Sequence, residues 1–395
     1  MSTESVVAGK KLASAIRGRS TLRIALIGSR GIPASYGGFE TFYEQLGVRL
    51  AARGHDVTVY NRRHHISSHP KEYEGVRIVT LPSLRTKHLD TFSHTFVSLL
   101  HALWHGYDIY YVCIVGNSPL LALIRLFGRK SLLNVDGSDY TRAKWGRLAS
   151  GYLWLCERIA GRLADVIVAD ARVTQQRYRD FGTDSMFISY GANLQPRGEG
   201  TQATDVLQRL GLETDGYILF VSRLTPENAA HVLVEAFLRT RTTLRLVIVG
   251  DAPYVQKYKT WLKGLCDDRI VMPGYQFGEN YRQLSMNCRY FVLPSGIDGT
   301  RPVLLDQMGF GNCVVVKDAP ANVEVVGDAG VLFEKENEVE SLRSTIERLD
   351  QDFETIERCR AAGLERVRKY YSWDTITDQY ETLFRQMASE RAEET

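Results

Sequence analysis

Four loops hold most of the residues whose types and spacing suit chemistry. The first, "GSRGIPASYGGFETF" (28–42), places four glycines and a proline between an apolar run and a helix-like run. A glycine-rich turn feeding a helix start offers backbone N–H groups and a positive dipole end, with nothing to block a phosphate. Gly37 and Gly38 stand where the helix of Phe39 begins. The spacing is neither the dinucleotide fingerprint nor a P-loop, so the stretch reads equally as a phosphate cradle or as a plain strand-to-helix turn. In the second loop, "VSRLTPENAAHV" (221–232), Arg223 follows a strand end and suits two-pronged contact with a diphosphate, a solvated surface arginine being the alternative. Glu227 and Asn228 read as support for the helix start.

The third loop, "PSGIDGTRPVLLDQMGFGN" (294–312), sets Gly296, Gly299 and Thr300 before a helix with Pro302 in its first turn. Asp298 in the loop and Asp306 on the helix can accept hydrogen bonds from sugar or ribose hydroxyls; a capping aspartate and a solvated one are the plain alternatives. In the fourth, "NVDGSDYTRAKW" (134–145), Asp136 follows a strand, with Asp139, Arg142, Lys144 and Trp145 behind it, a set that suits a sugar or phosphate or simply a solvated helix start. HExxH, a DxD-like carboxylate pair in a strand-end loop and GxSxG are all missing, which favours a metal-independent reaction on a phosphorylated ligand.

The elements that must hold these loops alternate. "LRIALIG" (22–28) reads as a buried parallel strand. Phe39, Phe42, Tyr43, Leu46 and Leu50 form a helical stripe, Gly54 closes it, and "HDVTVYN" is the next strand. Further strands are expected at 108–116, 131–137, 163–170 and 185–193, with a helix at about 147–162. The polar stretch 194–205 breaks the rhythm and reads as a linker. The pattern then restarts with "GYILFVS", a helix from "AAHVLVEAFLR", "LRLVIVG", "RYFVLPS" and "NCVVVKD", and the tail after Trp373 looks helical. This predicts an α/β protein with two Rossmann-like, doubly wound domains facing a cleft: a lead-in at 1–21, domains at 22–195 and 196–372, and a C-terminal helix at 373–390 crossing back to the first domain.

Composition narrows the partners. A chain of 395 residues at net charge +3, without RNA-binding or zinc-finger spacing, gives no sign of nucleic acid. Cys113, Cys156, Cys266, Cys288, Cys313 and Cys359 are scattered, most read as core residues, and a reducing cytosol is the simplest compartment. No secretory leader is recognisable, and the apolar stretches near 95–104 and 119–127 fall short of the about 20 residues that span a bilayer. The basic segment "VVAGKKLASAIRGRS" reads as a fraying lead-in or as a weak contact with an anionic membrane.

Together, "YGGFE", "SRLTPEN" and "GTRPVLLDQMGFGNCVVVKD" with "NVEVVGDAG" resemble the retaining GT-B glycosyltransferases of family four, over roughly 22–388. "RGIPASYGGFETF" and "NVDGSDYTRAKWGRLA" bring the likeness to the rhamnosyltransferase-type subgroup of surface polysaccharide assembly. The resemblance implies a nucleotide-diphosphate sugar as donor substrate, with no cofactor and no metal. Arg223 and the amides around Gly299 and Thr300 would meet the diphosphate, with Gly37 and Gly38 approaching it from across the cleft. Asp298 would contact the donor sugar and Asp306 the ribose, at the positions of the family's two glutamates. Asp136 falls where many members carry a histidine beside the reacting sugar. Arg142, Lys144 and His231 are candidate acceptor or phosphate contacts. The lysine usual five residues after the diphosphate arginine is Asn228 here, which Lys144 or His231 would have to replace, and the glutamate expected after "NVDG" is Asp139.

The expectation is a cytoplasmic transferase at the inner face of the plasma membrane. It would move a hexose or deoxyhexose, rhamnose among the candidates, to a lipid-linked or polysaccharide acceptor. The rivals are a GT-B homologue that binds nucleotide-sugar without turning it over, a nucleotide-sugar epimerase and a dinucleotide oxidoreductase; the last is disfavoured by the missing fingerprint.

Overall fold

The computed structural model describes residues 21–34, 37–65, 70–86, 89–136, 146–197, 205–252, 255–265 and 267–394. The chain divides into two compact units, one of residues 1–189 with 373–395 and one of residues 190–372. Arg142, Lys144 and the lead-in at 1–20 lie outside the described residues.

The first unit holds β1 (Arg23–Ile27), α1 (Gly38–Ala52), β2 (Asp56–Arg62), β3 (Glu72–Tyr73), β4 (Val76–Leu81), α2 (Asp90–His105) and β5 (Ile109–Cys113). It continues with α3 (Leu121–Leu126), β6 (Lys130–Val135), α4 (Arg147–Leu163), β7 (Val166–Ala169), α5 (Arg172–Asp180) and β8 (Met186–Phe187). The sheet order is β3-β4-β2-β1-β5-β6-β7-β8, parallel apart from the β3–β4 pair. Strands covered on both faces must be apolar throughout, and residues 24–27 and 109–113 are all buried.

The second unit holds α6 (Asp205–Leu210), β9 (Tyr217–Val221), α7 (Ala230–Leu238), β10 (Arg245–Val249), α8 (Gln256–Leu265), β11 (Ile270–Gly274) and α9 (Gly278–Met286). Then come β12 (Tyr290–Leu293), α10 (Pro302–Gly309), β13 (Val314–Lys317), α11 (Pro320–Val326), β14 (Val331–Phe333), α12 (Glu338–Leu349) and α13 (Phe353–Tyr370). Its sheet is wholly parallel, in the order β11-β10-β9-β12-β13-β14. Both sheets are Rossmann-like.

The first and second units meet in sequence between Ser189 and Tyr190, ahead of the residue 195 suggested by composition. The reason is hydrogen bonding: Ala192 donates to the Tyr371 carbonyl at 2.8 Å and Gln195 to the Gly309 carbonyl at 3.1 Å, so this polar stretch is already fastened to the second unit.

The chain rejoins the first unit through α14 (Trp373–Glu394). Tyr380 of this helix stacks on Tyr111 of β5 at 5.6 Å and lies 5.3 Å from Phe42 of α1. Glu381 takes hydrogen bonds from Arg53 at 2.8 Å and Arg385 at 2.7 Å, with the His55 ring at 3.2 Å. Burial alone would raise the Glu381 carboxyl, but these partners hold it down to about 2. A carboxyl lowered by folding stabilises the folded state above its unfolded value and stops doing so as pH falls through the folded one. The docking of α14 should therefore weaken between about pH 5 and pH 2. Urea titrations across that range should show the loss, and Glu381→Gln should flatten it; parallel curves for the two proteins would refute the assignment.

Candidate functional site

In open α/β sheets, ligands bind beyond the carboxyl ends of the strands where the strand order reverses. That point lies between β1 and β5 in the first unit and between β9 and β12 in the second.

In the first unit the glycine-rich loop follows β1. Gly28 has φ +108, and a Cβ there would come within 2.9 Å of the Cys113 carbonyl at the end of β5. Gly31 has φ +117, and a Cβ would lie 2.2 Å from Asn61 Oδ1. Both positions therefore require glycine for backbone and for space. Asn61 accepts from the Ile32 amide at 3.0 Å and donates to the Ile32 carbonyl at 2.6 Å. Arg62 donates to the Gly28 carbonyl and to Asp90, each at 3.0 Å. The loop is held from below by buried polar groups at the end of β2.

Gly37 caps α1 in an extended conformation, and a Cβ there would lie 2.5 Å from a Glu40 carboxylate oxygen. Glu40 also accepts from the Arg30 amide at 2.8 Å. A phosphate reaching Gly37 and Gly38 would share this helix start with a carboxylate, which the glycine pattern alone does not disclose. Asp136 follows β6 and is half-buried. Among the described residues one group could hold a cation: His64, His65 and Asp90, with donor atoms all within 4.8 Å of one another. Burial alone would raise the Asp90 carboxyl, but the Ser83 hydroxyl, Arg62 and His65 hold it below its usual range. Asp90 is thus committed to a resident guanidinium.

In the second unit the loops after β9 and β12 come together. Arg223 stands exposed just beyond β9. Asn228 is buried, and its amide donates to the Arg223 carbonyl at 2.8 Å and to the Thr225 hydroxyl at 3.0 Å. Its Oδ1 accepts from Arg301 at 2.9 Å, and the same guanidinium nitrogen donates to Ser295 Oγ at 2.9 Å. Ser295 is secured in turn, its carbonyl accepting from Asn322 at 2.9 Å. Arg301 occupies the cap position of α10 and Pro302 opens the helix. Gly299, at φ +100, and Thr300 are buried in the same turn, and Asp298 is half-buried beside them.

Asp306 lies on α10, and burial pushes its carboxyl up to about 7. A carboxylate so placed gains from hydroxyl donors that replace its lost water. His231 is turned to other work: its Nδ1 lies 3.0 Å from the Tyr258 hydroxyl and its ring beside Trp261.

The loops after β9 and β12 thus carry Arg223, Asp298, Gly299 and Thr300, with Asp306 on α10, while His231 packs against α8. The sequence alone does not single out Arg301. The signal was an arginine immediately before a helix-opening proline, in a loop already singled out, but its partner Asn228 is 73 residues away.

Paired Rossmann-like units with these strand-end loops define the GT-B glycosyltransferase class. A family profile described as "Glycosyl transferase 4-like domain" matches residues 37–189, and one described as "Glycosyl transferases group 1" matches residues 215–352. The chain belongs to this group 1, GT4-like family of glycosyltransferases.

Among curated proteins, the chain is 29% identical over 180 residues to the O-antigen chain mannosyltransferase B of Escherichia coli, a match covering 44% of this chain and 47% of the relative. It is 26% identical over 163 residues to an N-acetylgalactosamine-N,N'-diacetylbacillosaminyl-diphospho-undecaprenol 4-alpha-N-acetylgalactosaminyltransferase of Campylobacter jejuni, over 39% of this chain and 44% of the relative. The chain spans about half the length of the curated relatives it matches.

Among solved structures, sucrose-phosphate synthase from Thermosynechococcus elongatus superposes with a TM-score of 0.78 at 20% identity, over 93% of this chain and 99% of that one. Anabaena HepE, solved with UDP and glucose, gives 0.74 at 18% identity, over 92% and 99%. These likenesses concern the fold.

Proposed function

We propose that the protein is a retaining glycosyltransferase. It moves a hexose or deoxyhexose from a nucleotide-diphosphate sugar onto a lipid-linked or polysaccharide acceptor in surface glycan assembly. The observation that carries this reading is the meeting of the loops after two adjacent strands, β9 and β12, through the Asn228–Arg301 bond, with Arg223 and the Gly299–Thr300 turn in those loops and the half-buried Asp306 on the helix that follows. A diphosphate leaving group needs fixed positive charge and N–H donors where its charge grows, and preorganised donors of this kind account for much of such catalysis.

In this reading Arg223 and Arg301 hold the diphosphate with the amides before α10, and Asp306 accepts from the ribose. Asp298 meets the transferring sugar, and Asp136, Gly37 and Gly38 of the first unit keep the roles that the resemblance implies. The acceptor hydroxyl attacks the face the diphosphate leaves and passes its proton to the departing phosphate oxygen, without a metal. Rhamnose is retained as a candidate sugar on the strength of the motifs alone; the names of the curated relatives, a mannosyltransferase and an N-acetylgalactosaminyltransferase, support surface glycans more broadly. A cytoplasmic site at the membrane fits a lipid-linked acceptor, as in the name of the Campylobacter relative.

Calorimetry with UDP-, GDP- and dTDP-sugars should find one that binds, and Arg223→Ala should weaken it about tenfold or more. Ribose hydroxyls favour the ionised Asp306, so affinity should fall as pH drops below about 7, and Asp306→Asn should remove the dependence. Binding without transfer to any acceptor would select the non-catalytic reading instead. Unchanged binding by Arg223→Ala would refute the site.

A further inference from the structure

Among the described residues, eleven of the seventeen exposed large apolar side chains lie between Leu84 and Leu155, in one part of the first unit. They do not scatter. On α2, Phe96, Leu100 and Trp104 follow one another at four-residue steps, a single outward stripe. On α4, Leu148, Tyr152 and Leu155 make a second, with Trp154 beside it. Leu126 and Phe127 end α3, which packs against both α2 and α4. Trp104 is 89% exposed, Leu126 79% and Leu148 92%, so these are not core residues caught at an edge. The opposite faces are satisfied, α2 burying His94, Ser98, Leu99 and Ala102, and α4 burying Leu153, Cys156 and Ala160.

The charges of the same three helices separate by face. Arg125, Arg147, Arg158 and Arg162 are exposed. Their two carboxylates are withdrawn: Asp90 is bound to Arg62 at 3.0 Å, and Glu157 is buried with Arg177 at 3.5 Å. Arg158 lies 5.1 Å over the ring of Trp154, a pairing of cation and amphipathic aromatic suited to the level of lipid headgroups. No helix among the described residues is long and apolar enough to cross a membrane. Exposed apolar stripes on helices packed against one another mark a binding face, and exposed arginines on helices whose own carboxylates are withdrawn select an anionic one. A second copy would present the same arginines to each other and be repelled.

We propose that the α2–α3–α4 face seats the protein on the surface of an anionic bilayer. The aromatic and leucine side chains enter the interfacial layer and the arginines pair with lipid phosphates. This surface belongs to the first unit alone, and it stands whether or not sugar transfer is shown.

The full chain should co-sediment with vesicles of phosphatidylcholine mixed with phosphatidylglycerol, and weakly with phosphatidylcholine alone. Trp104→Ser/Leu126→Ser/Leu148→Ser and Arg125→Glu/Arg158→Glu/Arg162→Glu should each lose about tenfold or more in binding. Phe353→Ser, an exposed aromatic of the second unit, should bind as the parent does. Circular dichroism melts identify any variant that misfolds, and for such a variant the single change Trp104→Ser is read instead. Equal binding to both vesicle types, or parental binding by both triple variants, would overturn the proposal. So would self-association in sedimentation velocity that Trp104→Ser abolishes while vesicle binding is absent, which would assign the face to a second copy.

Discussion

Arg301→Met is expected to lower the rate of sugar transfer by about 10²–10³-fold, mostly in kcat, with a smaller change in donor affinity. Losing one preorganised donor from a developing charge costs about 2.7–4 kcal/mol of transition-state stabilisation. The resemblance to the family leaves a gap at Asn228, where a lysine is usual. In the proposed site Arg301 supplies that charge from another loop: the buried Asn228 amide oxygen takes one nitrogen of Arg301 at 2.9 Å, and Ser295 shares it.

This account makes a second, sharper prediction. Asn228→Lys in the Arg301→Met background should recover at least tenfold of the lost rate, because it returns a charge to the same point. A purely structural role for Arg301 gives the opposite pattern, with a lowered melting temperature, intact kcat and no rescue. The melt and the steady-state kinetics measured on the parent, Arg301→Met and the double variant decide between the two.

Tyr380→Ala should cost the first unit about 3–5 kcal/mol of stability. The ring is wholly buried, stacked on Tyr111 and close to Phe42, and its hydroxyl joins those of Tyr111 at 3.1 Å and the Asn134 amide at 3.3 Å. Truncation therefore leaves a cavity and strips polar groups of their partner. Tyr380→Phe separates the two effects and should cost only about 1 kcal/mol. Urea unfolding followed by far-UV circular dichroism reads both, and a Tyr380→Ala protein within 1 kcal/mol of the parent would refute this packing.

The strands that flank the two reversal points were the most legible part of the chain. "RIALI", "YILFV" and "YFVL" are short apolar runs with aromatic or branched side chains, bounded by glycine or proline, and a strand covered on both faces can be little else. The β3–β4 pair and α2 gave no comparable signal. β3 is two residues long, and α2 carries His94, Thr95 and Ser98 on its buried face, so its inward side is not an apolar stripe.

In the sequence, the apolar residues along 95–104 and 119–127 show only that they are too short to span a bilayer. Periodicity reports that a face exists; what covers it depends on neighbouring helices far off in the chain. The candidate site was legible where it is local, in the Gly299–Thr300 turn and Arg223. It was opaque where it depends on tertiary contact, in the Arg301–Asn228 bond and in Glu40 leaning on Gly37.

The return of α14 to the first unit has a consequence for biosynthesis. Residues 1–189 are made first, yet they lack the Trp373, Tyr380 and Phe384 rings that complete their interior until the whole second unit has left the ribosome. The later-made unit is contiguous and can finish folding alone, while the earlier one must wait with apolar surface uncovered. Nascent chains stalled before residue 373 should accordingly depend on chaperones in a way that chains released after residue 394 do not.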